Sequence, residues 1–201
     1  FLGRMSPEKR PDRAIEIAVR SGRPLKMAAK IDAVDQAYWD AEIRPLVEAH
    51  DNIEYIGEVN EAQKAELLGG AGALLFPIDW PEPFGLVMIE AMSCGTPVIA
   101  WRNGSVPEVM QDKVSGRIVD TMDDAVAAVD EVFAFDRAKV RDYFERRFTV
   151  RRMADDYVQM FEQQIARHQN LRATNTVDVF PDALRHGSFR AAPPPALDTA
   201  A

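Results

Sequence analysis

The sequence predicts an α/β fold in which helices cover both faces of a parallel β-sheet. Three observations support this class. From residue 1 to about residue 168, short apolar runs alternate with longer segments that have the periodicity of a helix. The apolar runs are continuous, as is typical of strands that are buried on both faces. Glycine or proline stands where several elements should end, as Gly22, Gly95 and Pro97 do.

The predicted strands and helices follow one another in the order of repeated βαβ units. The chain opens on the predicted end of a strand, and further strands are predicted at Leu25–Ala29, Ile53–Gly57, Ala73–Pro77, Pro97–Trp101 and Arg117–Val119. Helices are predicted near residues 11–22, 35–48, 60–69, 84–94, 105–111, 122–133, 136–146 and 149–168. The architecture is therefore a Rossmann-like, doubly wound parallel sheet.

The length of 201 residues indicates one domain with an appendage. Because Phe-Leu-Gly at the start is typical of the end of a buried strand, we expect a domain cut from a longer protein. Residues 1–168 are predicted to form this domain. Apolar periodicity fades after it and Pro193, Pro194 and Pro195 follow one another, so residues 169–201 are predicted to be a largely disordered tail.

Charge and cysteine count exclude several classes of function. The 24 basic and 32 acidic residues give a net charge of −8, which argues against nucleic acid as a partner. One cysteine excludes a disulfide framework, and the three histidines have no partners at ligand spacing, so no metal site is expected. No apolar run is long enough to span a bilayer. We expect a cytoplasmic protein.

One segment has the opposite charge balance. From Asp136 to Arg152 there are seven basic residues and three acidic ones. Solvated helix faces explain this excess, and so would contact with another domain or peripheral contact with an anionic membrane.

Two glutamates mark the segment between the fourth and fifth predicted strands, where ligands of open α/β sheets bind. Glu82 lies between Pro81 and Pro83, which stiffen its loop. Glu90 lies in a helix that is otherwise apolar, so we expect that helix to be buried on all sides and Glu90 to be an isolated carboxylate with a function. The alternative is that Glu90 pairs with a structural Arg or Lys, or that the helix is less buried.

Carboxylates so placed fit the hydroxyl pairs of a sugar or a ribose. A general acid and base pair is the competing interpretation, which the lack of an obvious pocket for a water nucleophile weakens. Gly85 allows close approach of the backbone to a ligand. The free N–H groups of a helix that starts near Phe84 and Gly85 favour anions or hydroxyl oxygens.

Two basic residues, Arg4 and Lys9, bracket the loop between the opening strand and the first helix. The donors of an arginine and the mobile charge of a lysine both suit phosphate oxygens. The loop therefore has the composition of a diphosphate clamp, and solvated charges at a loop tip are the alternative.

Together these segments resemble family-4 retaining glycosyltransferases, and specifically the C-terminal, donor-binding domain of their two-domain GT-B fold. The matching motifs are Gly3-Arg4 with Pro7-Glu8-Lys9, Glu82-Pro-Phe-Gly-Leu with Glu90 eight residues on, Ala91-Met-Ser-Cys-Gly-Thr-Pro-Val-Ile-Ala and Gly104-Ser-Val-Pro-Glu108. The resemblance extends from residue 1 to about residue 168 and includes the long terminal helix of the family.

The resemblance implies transfer of a hexose from a nucleoside-diphosphate sugar to an acceptor, with retention of configuration and without a metal or cofactor. Arg4 and Lys9 would hold the diphosphate. Glu82 would form a hydrogen bond with a hydroxyl of the transferred sugar, and Glu90 would hold the ribose hydroxyls. Arg4, Lys9 and Glu82 are the candidate catalytic residues. The other candidates for donor binding are Gly57 and Val59 near the nucleobase, and Phe84, Gly85 and Leu86 near the sugar or the distal phosphate.

The acceptor-binding N-terminal domain of that family has no counterpart in the chain, so we expect donor binding with little turnover. Two positions depart from the family pattern: Lys30 stands in a turn that is often rich in glycine, and Arg10 stands where glycine is frequent. Two alternatives remain, a GT-B-type epimerase or phosphorylase and a non-catalytic module that binds a nucleotide sugar or a partner. A bare stripe of Met153, Tyr157, Met160 and Phe161 on the last helix would favour a homodimer.

Overall fold

The computed structural model describes the backbone of residues 1–175 and the side chains of residues 1–170. Residues 176–201, which make up most of the predicted tail, lie outside the described residues. The described chain divides into two units, one from Phe1 to Met153 and one that begins at Ala154.

Residues 1–175 form six strands, which alternate with helices as predicted. The strands are β1 (Leu2–Arg4), β2 (Leu25–Lys30), β3 (Ile53–Gly57), β4 (Leu74–Phe76), β5 (Val98–Trp101) and β6 (Gly116–Val119). The helices are α1 (Pro11–Ser21), α2 (Gln36–Tyr38), α3 (Arg44–Glu48), α4 (Glu61–Gly70), α5 (Leu86–Ser93), α6 (Val106–Val109), α7 (Met122–Phe133), α8 (Arg137–Arg147) and α9 (Val150–Asn175). A 3-10 turn, Pro7–Lys9, follows β1, and a π-helical turn, Trp39–Ile43, joins α2 to α3.

Hydrogen bonds join these strands in two parallel sheets, of order β1–β2–β3 and β4–β5–β6. Within the described part of the chain, no ladder joins β1 to β4. Phe1 and Leu2 line a cavity of about 850 Å³ together with Leu74 and Leu75. The predicted α/β class with parallel strands is confirmed, with the difference that the strands form two hydrogen-bonded sheets instead of one.

Both faces of the second sheet are buried, because alternate residues of a strand point to opposite faces. One face packs in a cluster with α5 and α8 and contributes Leu74, Phe76, Val98, Ala100 and Ile118. The other face packs in a cluster with α1 and α7 and contributes Leu75, Ile99, Trp101 and Val119. Helices therefore cover the sheet on both sides, as the continuous apolar strands predict.

Helix α5 is held at its C-terminal end by buried polar contacts. The buried Thr96 hydroxyl donates to the Leu68 carbonyl oxygen over 2.6 Å and accepts from Arg137 Nη2 over 2.8 Å. Arg137 Nη1 also donates to the Ala71 carbonyl oxygen over 2.6 Å. These bonds satisfy buried oxygens and tie together the ends of α4 and α5 and the start of α8.

Helix α9 was predicted over residues 149–168 and extends to Asn175. Met153, Tyr157, Met160 and Phe161 are each at least 43% exposed, and the rings of Tyr157 and Phe161 lie 6.1 Å apart. The helix is confirmed, and the homodimer stays a prediction. Among residues 1–175, none of the helices combines the length and the apolar composition that a membrane span requires.

Candidate functional site

The loop that carries Glu82 connects β4 to α5 and is fixed by backbone contacts. The Ser105 N–H donates to the Glu82 carbonyl oxygen over 2.9 Å, and Asn103 Nδ2 donates to the Ile78 carbonyl oxygen over 2.8 Å. Gly104, between these two donors, has a φ of 53°, and a Cβ there would overlap the backbone N and O of Glu82. Glycine at position 104 is therefore needed both for its backbone conformation and for this close approach.

The Glu82 carboxylate has two donors on a single oxygen. Lys9 Nζ forms an ion pair with Oε2, and Trp80 Nε1 donates to the same atom over 3.1 Å. Lys9 Nζ also lies 4.9 Å from the centroid of the Trp80 ring, within the range of a cation–π interaction. Within residues 1–170, whose side chains the structure describes, no hydrogen bond reaches Oε1 of Glu82, so this oxygen is available to a ligand.

The two predicted site segments are thus brought together, although Glu82 and Lys9 are 73 residues apart in sequence. The Asp79 N–H donates to the Glu8 carbonyl oxygen over 2.9 Å, and Arg10 Nη1 lies 3.0 Å from Asp79 Oδ2. The 3-10 turn after β1 and the loop after β4 therefore form one surface.

Arg4 contacts carboxylates other than Glu82. Its guanidinium forms an ion pair with Glu8 and lies 3.7 Å from Asp35 Oδ2, and its side chain is 48% exposed. The hydrogen bond to Glu8 raises the pKa of Arg4 above its ordinary value. The structure thus pairs each basic candidate with its own carboxylate, Arg4 with Glu8 and Lys9 with Glu82.

Glu90 differs from the expectation of an isolated buried carboxylate. Lys64 Nζ of α4 donates to Glu90 Oε1 over 2.7 Å and to Glu61 Oε1 over 2.9 Å. The hydrogen bond to Glu90 is the main cause that raises the pKa of Lys64. The alternative, a Glu90 paired with a lysine, is therefore the arrangement found.

Helix α5 is also less buried than predicted. Met88, Ala91 and Met92 are fully buried, whereas Leu86 is 64% exposed and the Glu90 side chain is 33% exposed. The reason is that α5 packs against β4, β5, α4 and α8, which together leave part of its surface open. The prediction that α5 is buried on all sides is therefore wrong, because an apolar sequence alone does not require every face to be covered.

The start of α5 has the form of an anion-binding end. Gly85 stands at its N-cap with a φ of 76°, and no side chain caps the helix. A Cβ on Gly85 would lie 2.6 Å from Met88 Cε and 3.2 Å from Phe76 Cζ. Phe84 is 41% exposed beside it. The first amides of α5 therefore remain available beside the Glu82 loop.

The residues predicted near a nucleobase lie at the end of β3. Gly57 has a φ of 75° with open space around it, and Val59 precedes the Asn60 cap of α4. Val59 is the one candidate that also lines the 850 Å³ cavity. The other candidates lie outside that cavity, so its volume does not describe the site.

A profile of the family described as glycosyl transferases group 1 matches residues 1–147. The chain belongs to the group 1 glycosyltransferases. The D-inositol 3-phosphate glycosyltransferase of Mycolicibacterium smegmatis is 32% identical over 126 residues, which cover 61% of this chain and 29% of that protein. Its counterpart from Saccharomonospora viridis is 40% identical over 93 residues, which cover 42% of this chain and 21% of that protein. The matched part thus spans less than a third of either relative.

Solved structures show the same fold. AviGT4, a glycosyltransferase involved in avilamycin A biosynthesis, matches with a TM-score of 0.67 and 25% identity over 83% of this chain and 51% of its own. Anabaena Alr3699/HepE, solved in complex with UDP and glucose, matches with a TM-score of 0.68 and 19% identity. The match covers 81% of this chain and 48% of that protein. The resemblance to GT-B glycosyltransferases is confirmed.

Arg10 and Lys30, which depart from the family pattern, both form ion pairs with nearby aspartates. Arg10 has a φ of 52°, a conformation that favours glycine, and it forms ion pairs with Asp12 at 2.6 Å and Asp79 at 3.0 Å. The hydrogen bond to Asp12 raises the pKa of Arg10. Lys30 is exposed and forms an ion pair with Asp32 at 2.7 Å.

The sequence does not predict Lys64 at this site, nor the contacts by which Trp80 and Gly104 support Glu82. Lys64 carries no local signal, because its partner Glu90 is 26 residues away. The position of Trp80 two residues before Glu82, with a donor N–H, was the only available hint. Within the described residues, no group of three or more His, Cys, Asp or Glu side chains is placed to hold a metal ion.

Proposed function

We propose that this chain is the donor-binding half of a retaining hexosyltransferase, which transfers a hexose from a nucleoside-diphosphate sugar to an acceptor. The observation that carries the proposal is the contact of Lys9 with Glu82 beside the uncapped start of α5. A cation, a carboxylate with a free oxygen and open helix amides are thereby combined on one surface. The diphosphate and the hydroxyls of a nucleotide sugar require these same groups.

Charge stabilisation is the main contribution of the chain in this proposal. When the bond between sugar and phosphate breaks, negative charge develops on the diphosphate, and Lys9, Arg4 and the amides of α5 would stabilise it. These fixed positive groups would make a metal ion unnecessary. An ammonium has three donor hydrogens, so Lys9 can bond a phosphate oxygen while it still contacts Glu82.

The two carboxylates would divide the rest of the donor between them. Glu82 would accept a hydrogen bond from a hydroxyl of the transferred sugar through Oε1. Glu90 would accept hydrogen bonds from the ribose hydroxyls while Lys64 remains its partner. Gly57 and Val59 would lie near the nucleobase, and Phe84, Gly85 and Leu86 near the sugar or the distal phosphate. No side chain here serves as a covalent nucleophile in this scheme.

The identity of the donor is proposed from a structural relative. Anabaena Alr3699/HepE was solved with UDP and glucose and with UDP-glucose. We therefore take UDP-glucose as the first donor to test. Retention of configuration and a cytoplasmic location are part of the same proposal. Transfer to an acceptor would also require an acceptor-binding domain.

Isothermal titration calorimetry with UDP, GDP and ADP tests this function, with and without EDTA. We expect the chain to bind UDP, and Lys9→Met to weaken that binding by about tenfold, because a charged hydrogen bond to phosphate is lost. Lys139→Met is the matched control, since Lys139 is exposed on α8. No affinity for any of the three diphosphates would contradict the proposal, and UDP binding that EDTA abolishes would contradict its metal-free form.

A further inference from the structure

Trp80 contacts both members of the Lys9 and Glu82 pair, and nothing above gives it a role in the reaction. Its indole N–H donates to Glu82 Oε2 over 3.1 Å, and its ring lies 4.9 Å from Lys9 Nζ. The residue is half-buried and packs against the cluster that contains Phe76 and Met88. The indole is therefore anchored by packing while its polar edge points at the carboxylate.

A second donor on Oε2 determines how the carboxylate is oriented. An ion pair between two flexible side chains has several geometries of similar energy, because Lys and Glu both retain rotamer freedom. The indole is a rigid, directional donor, and together with Lys9 it holds Oε2. With Oε2 held, Oε1 is the oxygen left for a ligand.

We propose that Trp80 is a positioning residue that fixes Glu82 Oε2, so that Oε1 faces the transferred sugar, and that it thereby favours the nucleotide sugar over the bare diphosphate. This inference rests on the proposed function. Trp80 acts through Glu82, because its N–H is already used on Oε2. Removal of the N–H should affect binding of the sugar and leave binding of the diphosphate unchanged.

The main test is a double-mutant cycle of Trp80→Phe and Glu82→Ala, measured by calorimetry with UDP and with UDP-glucose. Phenylalanine keeps an aromatic ring near Lys9 and removes the N–H together with part of the indole, so the comparison of the two ligands and the cycle with Glu82 isolate the effect of the N–H. We expect Trp80→Phe to weaken UDP-glucose about tenfold and UDP less than twofold, and to have no further effect when Glu82 is already alanine. Trp39→Phe is the control, since Trp39 is buried, packs against Tyr55 and belongs to the other core cluster.

Three outcomes are informative. Equal weakening of both ligands by Trp80→Phe, or full additivity with Glu82→Ala, would overturn the role of Trp80 while leaving the proposed function in place. A wild-type chain that binds neither UDP nor UDP-glucose would overturn the proposed function and the role of Trp80 with it. Selective and non-additive loss supports both.

A second measurement requires no ligand and separates the contact from the function. In a ¹H–¹⁵N NMR spectrum, the indole signal that disappears in Trp80→Phe should shift in Glu82→Ala, while the signals of Trp39 and Trp101 should stay in place. An indole signal of Trp80 that ignores Glu82→Ala would overturn the inference even if nucleotides bind.

Discussion

Glu82 and Glu90 are eight residues apart, yet their surroundings give them different partners. Glu82 contacts Lys9 and Trp80 on a loop, and Glu90 contacts Lys64 on a helix. Each carboxylate has a cation beside it, which offsets the cost of partial burial. In the proposed function, the separation of these two carboxylates within one segment would let them bind different parts of one ligand.

Substitution of each glutamate by glutamine should separate the two roles. Glu90→Gln should weaken UDP and UDP-glucose alike, because both ligands contain the ribose. Glu82→Gln should spare UDP and weaken UDP-glucose, because only the latter contains the sugar. A lost charged hydrogen bond costs about 1.5–3 kcal/mol, which is about a tenfold to hundredfold loss of affinity.

Calorimetric titration of each variant with both ligands checks this division, with Glu145→Gln on the exposed side of α8 as the control. Equal effects of the two variants on both ligands would show that the division between Glu82 and Glu90 is wrong.

At the scale of elements, the loop between β5 and α6 supports the loop between β4 and α5. Ser105 donates to the backbone of Glu82, and Gly104 lies where a side chain would overlap that backbone. The position of the Glu82 carboxylate therefore depends on a loop that is about 20 residues further along the chain.

Gly104→Ala should move the Glu82 loop and lower stability. Alanine would meet both the backbone of Glu82 and an unfavourable φ of 53°. Such strain costs about 1–3 kcal/mol, so we expect Tm to fall by about 5 °C and UDP-glucose binding to weaken more than UDP binding.

Gly69→Ala is the matched control for this change, measured by differential scanning calorimetry. Gly69 lies in α4 with nothing within 4 Å of its Cβ position, so alanine there should leave Tm unchanged or raise it. A Gly104→Ala variant as stable as Gly69→Ala, with intact UDP-glucose binding, would refute the supporting role of this loop.

Most strands and helices could be predicted because their signals are local. The strand Ile53–Gly57 and the helix Met122–Phe133 have the predicted bounds, since apolar runs and a Thr121 cap mark them directly. The predicted helix over residues 35–48 contains a π-helical turn before α3, where Pro45 lacks the N–H that a regular helix needs. The pairing of Glu90 with Lys64 depends on how α4 packs beside α5, which sequence periodicity does not specify.

At the scale of the whole molecule, α9 carries an apolar stripe that the described chain leaves exposed. Met153, Tyr157 and Phe161 are four residues apart and lie on one side of the helix. Exposed apolar side chains in a contiguous stripe favour association with a second apolar surface.

We expect the isolated chain to form a homodimer through this stripe. The double variant Tyr157→Glu with Phe161→Glu should be monomeric, because each charge would have to be buried in the interface. Gln159→Glu, on the opposite side of α9, is the control and should remain dimeric. Analytical ultracentrifugation gives the oligomeric state of the wild-type chain and of both variants. A wild-type chain that is monomeric at every concentration would contradict the expectation.

A crystal structure of the chain with UDP-glucose tests the central claim most directly, because it locates each part of the donor. The account predicts the diphosphate at the start of α5 within hydrogen-bond distance of Lys9, the ribose at Glu90, and the glucose at Glu82 Oε1. A nucleotide sugar whose diphosphate and glucose lie elsewhere, for example in the 850 Å³ cavity beside β1 and β4, would contradict it.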